Sequence, residues 1–500
     1  MLGATTALPR VDERSWLDRS LSVFTDVRAG EGATAVLMLV NIFMLLTCYS
    51  VIKTVREPLI LLGGGAEVRS YSAAGQAVML MGFVPLYSWF ASRVDRVKLL
   101  IGVTLFFVVN VELFALAVAA HVPYVGVAFF IWVGIFNISL TAQFWSYAND
   151  IYRKEAGERL FPMIMIGMTA GAPLGSFVAG HLFGLGFAPQ AILQISAVLL
   201  LGTLALYLVI NARQARHSAA AEEPLPRGGG FGLVFRSGYL RLVALLIVLL
   251  NVVNTTGEYM VARLVSANAN AMAAADPAFN QGAYLGAFFG SYQLWVNITA
   301  FFLQAFVASR LVKRAGLRGA LLTLPLIALG GYAIIGVGAG LAVVRLVKTA
   351  ENATDYSIMN TARQLLWLPT TREEKYKAKQ AIDTFFMRSG DVLSAAAVFL
   401  GTTVLGIGVT GFAGANVALA VIWIGVVLLL LKRHRALNRG PVVTAMAVLL
   451  VVGVLAPAHA QETRKEQHAA AQAEKARDLH QGIALDSATR GCSTRMWRGR

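Results

Sequence analysis

The sequence predicts an all-α integral membrane protein of twelve transmembrane helices arranged as two halves of six. Three observations carry that expectation. Of the 500 residues, 57% are apolar and 14% are charged, where an average soluble chain is roughly a quarter charged. The mean hydropathy is +0.64, and the apolar residues come in blocks of about 20, the length that crosses a bilayer. The loops between blocks alternate in charge along the chain. Blocks of this length, rich in Leu, Val, Ala, Phe and Gly, are helices, because an open strand leaves its backbone unsatisfied in lipid.

A cytoplasmic segment at 1–32 precedes the first block. The spans then fall near 33–52, 72–91, 98–119, 123–147, 161–182 and 189–210, and, after a break, near 239–260, 282–308, 318–337, 340–362, 383–405 and 411–431. Loop 2–3 holds Arg93, Arg96 and Lys98, loop 4–5 holds Arg153, Lys154 and Arg159, and loop 8–9 holds Arg310, Lys313, Arg314 and Arg318. Loop 10–11 holds Arg372, Lys375, Lys377 and Lys379, whereas loops 3–4, 5–6, 9–10 and 11–12 have no Lys or Arg. Positive loops mark the cytoplasmic side, which puts both ends of the unit in the cytoplasm. The same habit accounts for the formal charge of +16 without nucleic acid. Residues 211–238, polar and rich in Pro and Gly, form a cytoplasmic linker between the halves 33–210 and 239–431. Within span 5, Gly167, Gly171, Gly175 and Ala179 recur every four residues, a face for close helix packing.

Ionisable groups inside spans are expensive and gather at wet cavities. At 100° per residue, Arg345, Lys348, Asn352, Asp355 and Arg363 of span 10 fall within about an 80° arc, with Glu351 some 40° outside it. Pathway lining and an internal ladder of ion pairs both fit this stripe. Span 7 gathers Asn251, Asn254, Thr255 and Glu258, span 8 lines up Gln293, Asn297 and Gln304, and span 11 brings Asp383, Arg388 and Asp391. Lys53, Arg56 and Glu57 interrupt an apolar stretch from Ala33 to Leu62. If the first helix continues past them, they face inward. If it ends at Ile52, they belong to a loop. Glu112 stands alone in span 3. Together these residues imply a polar cavity of mixed sign.

Two cysteines, Cys48 and Cys492, exclude a disulfide framework or a cysteine metal site. Gly406, Gly408 and Gly411 form a GxGxxG with no preceding strand, so it is not a dinucleotide loop. With no nucleophile–base or metal constellation, the chain is not expected to be an enzyme, nor to carry a cofactor or metal.

The stretch 347–391, VKTAENATDYSIMNTARQLLWLPTTREEKYKAKQAIDTFFMRSGD, resembles the plastid and intracellular-bacterial ATP/ADP translocase family, carriers similar to the major facilitators. The matching points are Tyr356–Ser357, Leu368–Pro369, the Lys375/Lys377/Lys379/Ile382/Asp383 turn and Arg388–Ser389–Gly390. Phe144, Trp145, Ala148 and Asn149, and Lys53 and Arg56 in YSVIKTVREPLIL, extend the resemblance over roughly residues 30–435. It implies substrate-critical charges at Arg56, Glu258, and Arg388 or Lys379. Arg56 and Arg388 stand where the family has lysines, so charge is kept while geometry is not. An acid that nucleotide carriers place in span 4 is missing, with Trp132–Val133–Gly134 in its place.

The resemblance implies exchange of nucleotides or related phosphorylated anions by alternating access. Lys53, Arg56, Arg345, Lys348 and Arg388 would supply cations, with Glu258, Asp355 and Lys379 completing the substrate site. An empty cavity would leave buried cations unpaired, which favours obligatory exchange. The alternative is a proton-coupled carrier for another polar metabolite, with Glu258 or Asp391 carrying the proton. Expected partners are a small anionic substrate and the lipid bilayer, for a monomeric chain. Beyond the basic flank at 432–435, residues 441–461 read as a signal-peptide-like or thirteenth apolar segment, followed by a polar tail to 500.

Overall fold

The computed structural model describes residues 15–21, 27–91, 93–152, 154–213, 230–371 and 373–437. The tail, much of the linker and the first fourteen residues lie outside them, so the expectations for 441–500 have no structural counterpart here. The chain divides into two compact units, Met1–Leu431 and Lys432–Arg500. Of the second, the described residues are the last of a helix.

All regular elements among the described residues are helical. After the short α1 (Trp16–Leu21) comes α2 (Glu31–Ala91), interrupted at Gly65, whose φ of 72° and ψ of −171° lie in a region essentially reserved for glycine. Arms 31–64 and 66–91 fold back on each other there. Arg69 Nε donates to Glu57 Oε2 at 2.6 Å, whereas twelve residues of unbroken helix would separate them by about 18 Å. The first helix therefore continues past Lys53 and Arg56. The second arm begins several residues before the expected position 72.

Next come α3 (Arg96–Ala119), α4 (Val125–Ile151), α5 (Lys154–Gly184) and α6 (Pro189–Arg213), then the short α7 (Gly230–Arg236) and α8 (Gly238–Ala275). Helix α9 (Gln281–Phe302) passes through a wide π turn into α10 (Ser309–Gly336), which breaks at Gly316 with φ 63°. Helix α11 (Leu341–Thr354) leads through another wide turn, Asp355–Met359, to α12 (Asn360–Leu365). The short α13 (Lys379–Ala381) and α14 (Met387–Phe399) follow, and α15 (Val409–Leu437) is the last described helix.

By length and composition, 8 helices among the described residues can cross a membrane, and the protein is a multi-span membrane protein. Two of them, Glu31–Tyr87 and Gln281–Gly336, contain the glycine breaks and run to 57 and 56 residues, enough for two crossings each at about 20 residues per crossing. The stretches holding α11 to α14 do not qualify, because wide turns divide them and charges interrupt their apolar runs.

Two apolar cores form, one around α2 to α6 and one around α8 to α15, the second also taking in Ile60, Leu61, Ala66 and Phe130. The glycine face of α5 packs on the first arm of α2. A Cβ at Gly167, Gly171 or Gly175 would stand 2.3, 2.4 or 2.2 Å from the carbonyl oxygens of Leu39, Phe43 and Thr47. The four-residue repeat is therefore structural, allowing two backbones to touch.

The halves meet where α5 crosses α9. A Cβ on Gly290 would lie 2.3 Å from Gly180 Cα. At the same end of the bundle Arg263 pairs with Glu67, which also accepts from Tyr259 Oη at 3.1 Å. Tyr71 meets Phe399 with ring centroids 6.3 Å apart.

Near the N-terminus, Asp18 caps α2 from α1. Its Oδ1 accepts from Gly32 N at 2.8 Å and its Oδ2 from Gly30 N at 3.2 Å and Ser15 Oγ at 2.8 Å. Burial pushes this carboxyl's pKa up, but the hydrogen bonds from Ser15, Gly30 and Gly32 outweigh it and hold the pKa below the ordinary 3.8.

Candidate functional site

A cavity of about 160 Å³ lies between the halves, walled by α2, α8, α9 and α11 with the turn that follows it. Its charged lining is Lys53, Arg56, Glu57, Arg69 and Glu258, with Asn254, Thr255, Gln293, Tyr292, Asn352 and Tyr356 adding polar atoms and Phe289 an apolar one. Three cations against two carboxylates leave one positive charge.

The cations have different surroundings. Arg56 is held by Glu57, to which its Nη2 and its Nε (3.1 Å) both donate, and it lies over the Phe130 ring at 4.2 Å. Arg69 donates to Glu57 Oε2 at 2.6 Å and to Glu258 Oε2 at 3.4 Å. Glu258 also accepts from Asn352 Nδ2 at 2.7 Å and Tyr292 Oη at 2.9 Å, which fixes its carboxylate. Lys53 makes no ion pair or hydrogen bond among the described residues, although its side chain lines the cavity. The expectation that an empty cavity leaves its cations unpaired thus fails for both arginines, because Glu57 and Glu258 neutralise them. It survives for Lys53 alone.

Other expected residues stand behind this wall. Lys348 is fully buried. It pairs with Glu351 at 3.0 Å and donates to Asn254 Oδ1 at 2.9 Å, so it braces a wall residue. Tyr332 Oη donates to Glu351 Oε2 at 2.7 Å. Asp391 accepts from Asn251 Nδ2 at 2.8 Å and Thr255 Oγ1 at 3.1 Å and pairs with Arg388 at 3.4 Å, one hydrogen bond from the cavity through Thr255. The rest lie elsewhere. Asp355 opens a wide turn with Oδ1 buried and without a hydrogen-bond partner among the described residues. Lys379 donates to Gln364 Oε1 at 2.7 Å. Arg345 turns out of the cavity: its Nη2 donates to Ser291 Oγ at 3.0 Å and its guanidinium sits 5.2 Å from the Phe288 ring centroid. The stripe on span 10 therefore divides, since its arc is wide enough to face two neighbours. Glu112 accepts from Gln194 Nε2 at 3.0 Å, a local bond.

Arg69 was not among the expected site residues. The signal was the Gly63–Gly64–Gly65 run, which marks the turn and puts Arg69 in the opening turns of the second arm.

The fold and the buried polar cavity define a class, the helical membrane proteins built like major-facilitator-type transporters. Among solved structures the chain is similar to a POT family transporter in complex with 5-aminolevulinic acid, with a TM-score of 0.56 at 13% identity, covering 83% of this chain and 98% of that one. It is also similar to the nucleoside transporter NupG, at 0.55 and 12% over 81% and 99%. A bacterial homolog of the human lysosomal transporter Spinster gives 0.52 and 13% over 81% and 95%. In sequence, its distant homologues are named ADP,ATP carrier protein 1, from Chlamydia muridarum, 23% identical over 299 residues, and from Chlamydia trachomatis serovar D, 22% over 299. These alignments cover 51% of this chain, and the chain spans about half (54%) of the length of those relatives. No family model matches.

Proposed function

We propose that this chain is a secondary carrier that exchanges phosphorylated organic anions, nucleotides foremost, by alternating access. In this reading the chain crosses a bacterial inner membrane twelve times as a monomer, with its N-terminus in the cytoplasm. The observation that carries it is Lys53, a cation without an ionic partner in an inter-half cavity whose lining carries net positive charge. The ADP,ATP carrier names of the distant homologues support the choice of nucleotide.

Lys53 takes a phosphate oxygen first, and Arg56 and Arg69 join as the anion competes with Glu57 and Glu258 for them. Arginine forks suit such oxygens. At about 160 Å³ the cavity is smaller than the roughly 300–1,000 Å³ of pockets for whole organic ligands, so this conformation seats a phosphate group and must widen for a base and sugar. Opening proceeds by parting the contacts around Gly180–Gly290 and Glu67–Arg263. Proteoliposomes loaded with unlabelled ADP should take up labelled ATP faster than empty ones, and equal rates would reject exchange.

A proton-coupled reading is favoured by the pairing of both arginines, which removes much of the electrostatic penalty for an empty return. Glu258, held at the inter-half contact, is then the proton carrier. Uptake driven by a pH gradient and uncoupled by Glu258→Gln supports it, and gradient-independent uptake rules it out.

A further inference from the structure

On the other face of α9 and α11 lies a separate, open groove of about 920 Å³. It follows one stripe of α9 through Tyr284, Phe288, Ser291, Trp295 and Thr299, spaced by three or four residues and so one helix face. From Tyr284 to Thr299 the stripe is about 22 Å long at 1.5 Å per residue. Arg345 sits on the opposite wall, in the second turn of α11 and therefore close to the N-terminal end of that helix. Its side chain has Ser291 and the Phe288 ring as neighbours and no acidic partner among the described residues. Below it the walls turn apolar and open outward, with Trp295 55% and Leu346 70% exposed.

We propose that this groove binds one anionic phospholipid of the adjoining leaflet. Its phosphodiester lies on the Arg345 guanidinium and Ser291 hydroxyl, and one acyl chain runs down the stripe past Trp295 and Leu346. Three features select that occupant. The cation lacks an acid and is partly desolvated, so it calls for an anion. It stands near the end of a helix, where long cationic side chains reach toward the interface. The groove below it runs about 12 Å from Ser291 to Thr299, is mostly apolar and opens outward at Trp295 and Leu346. A free anion would satisfy the guanidinium and leave the stripe uncovered. The proposal does not depend on what the central cavity carries.

The test is native mass spectrometry of the delipidated full chain titrated with phosphatidylglycerol. The native chain should hold one lipid to higher collision energy than any others. Arg345→Gln should weaken that first adduct about tenfold, as expected for a lost charge-assisted bond, and Arg345→Lys should recover part of it. Leu346→Asp should weaken it while leaving Arg345 in place, and it serves if Arg345→Gln fails to fold. Retention at the native level in Arg345→Gln and Leu346→Asp overturns the proposal. So does displacement of the lipid by millimolar inorganic phosphate, which would make this a free-anion site, or by ATP, which would make it part of the transport path.

Discussion

Arg69, on the second arm of α2, reaches from the first half of the chain to Glu258 of α8 in the second, 3.4 Å between Nη2 and Oε2, while its Nε holds Glu57 at 2.6 Å. One guanidinium thus ties two carboxylates from opposite halves. All three residues are parts of one wall of the cavity, so any anion that takes Arg69 loosens the contact between halves. That is the physical link between binding and movement in this account.

Arg69→Gln leaves the buried Glu57 and the partly buried Glu258 with too little positive charge. Removing one partner of a buried pair costs about 3–5 kcal/mol, so this variant should lose most transport and melt well below the native chain. Arg69→Gln combined with Glu258→Gln removes one of the stranded charges and should regain part of the melting temperature in detergent, though not the transport. Equal melting of single and double variants would contradict the bridging role.

Lys348 and Glu351 make a different prediction, because they brace the wall from behind. Lys348→Met strands Glu351 in the core and should destabilise by about 3–5 kcal/mol, whereas Lys348→Met with Glu351→Leu should return close to native stability, since apolar replacement of a whole buried pair is often neutral. Thermal unfolding of the three variants checks this. If the double variant is no better than the single, Lys348 has a role beyond pairing.

The contact of Glu67 with Arg263 predicts a gate. With Cys492 replaced by Ser, cysteines at positions 67 and 263 joined by a short bifunctional thiol reagent should stop transport, and cleaving the reagent should restore it. Uptake that persists in the cross-linked protein would show that this end of the bundle need not open.

Asp18 gives the pH dependence. Its folded pKa lies below 3.8, so its contribution is present above the unfolded value and is lost as pH falls through the lowered folded one. Amide protection across residues 27–35, taken relative to the intrinsic exchange rate at each pH, should fall on acidification through that range. Asp18→Ala, which removes a cap worth about 0.5–2 kcal/mol, should show the fast exchange already at neutral pH. Identical exchange in the two proteins would remove Asp18 as the cap.

How far the sequence disclosed this molecule depended on the length of each signal. The long apolar blocks and the every-fourth glycine on span 5 carry their meaning locally, and the packing of Gly167, Gly171 and Gly175 against carbonyls of α2 follows from it. Lys53, Arg56 and Glu258 were recoverable because charges in apolar runs are conspicuous. Arg69 was not, because three glycines and Glu67 just before it look like loop, and its place is set by a reversal of the chain. Arg345 and Lys348 differ by three residues and share a helix face, yet their side chains enter different spaces. Which neighbour each meets is decided by where α8 and α9 stand, a tertiary fact outside any periodicity. The ion pairing of Arg56 and Arg69 was hidden for the same reason.

The measurement that bears most directly on the central claim is a binding isotherm of ATP on the purified full chain, compared with Lys53→Gln and Arg345→Gln. If the inter-half cavity is the anion site, Lys53→Gln weakens binding about tenfold or more, as for a lost charged contact, and Arg345→Gln leaves it unchanged. Native affinity in Lys53→Gln, or a loss confined to Arg345→Gln, would contradict the account.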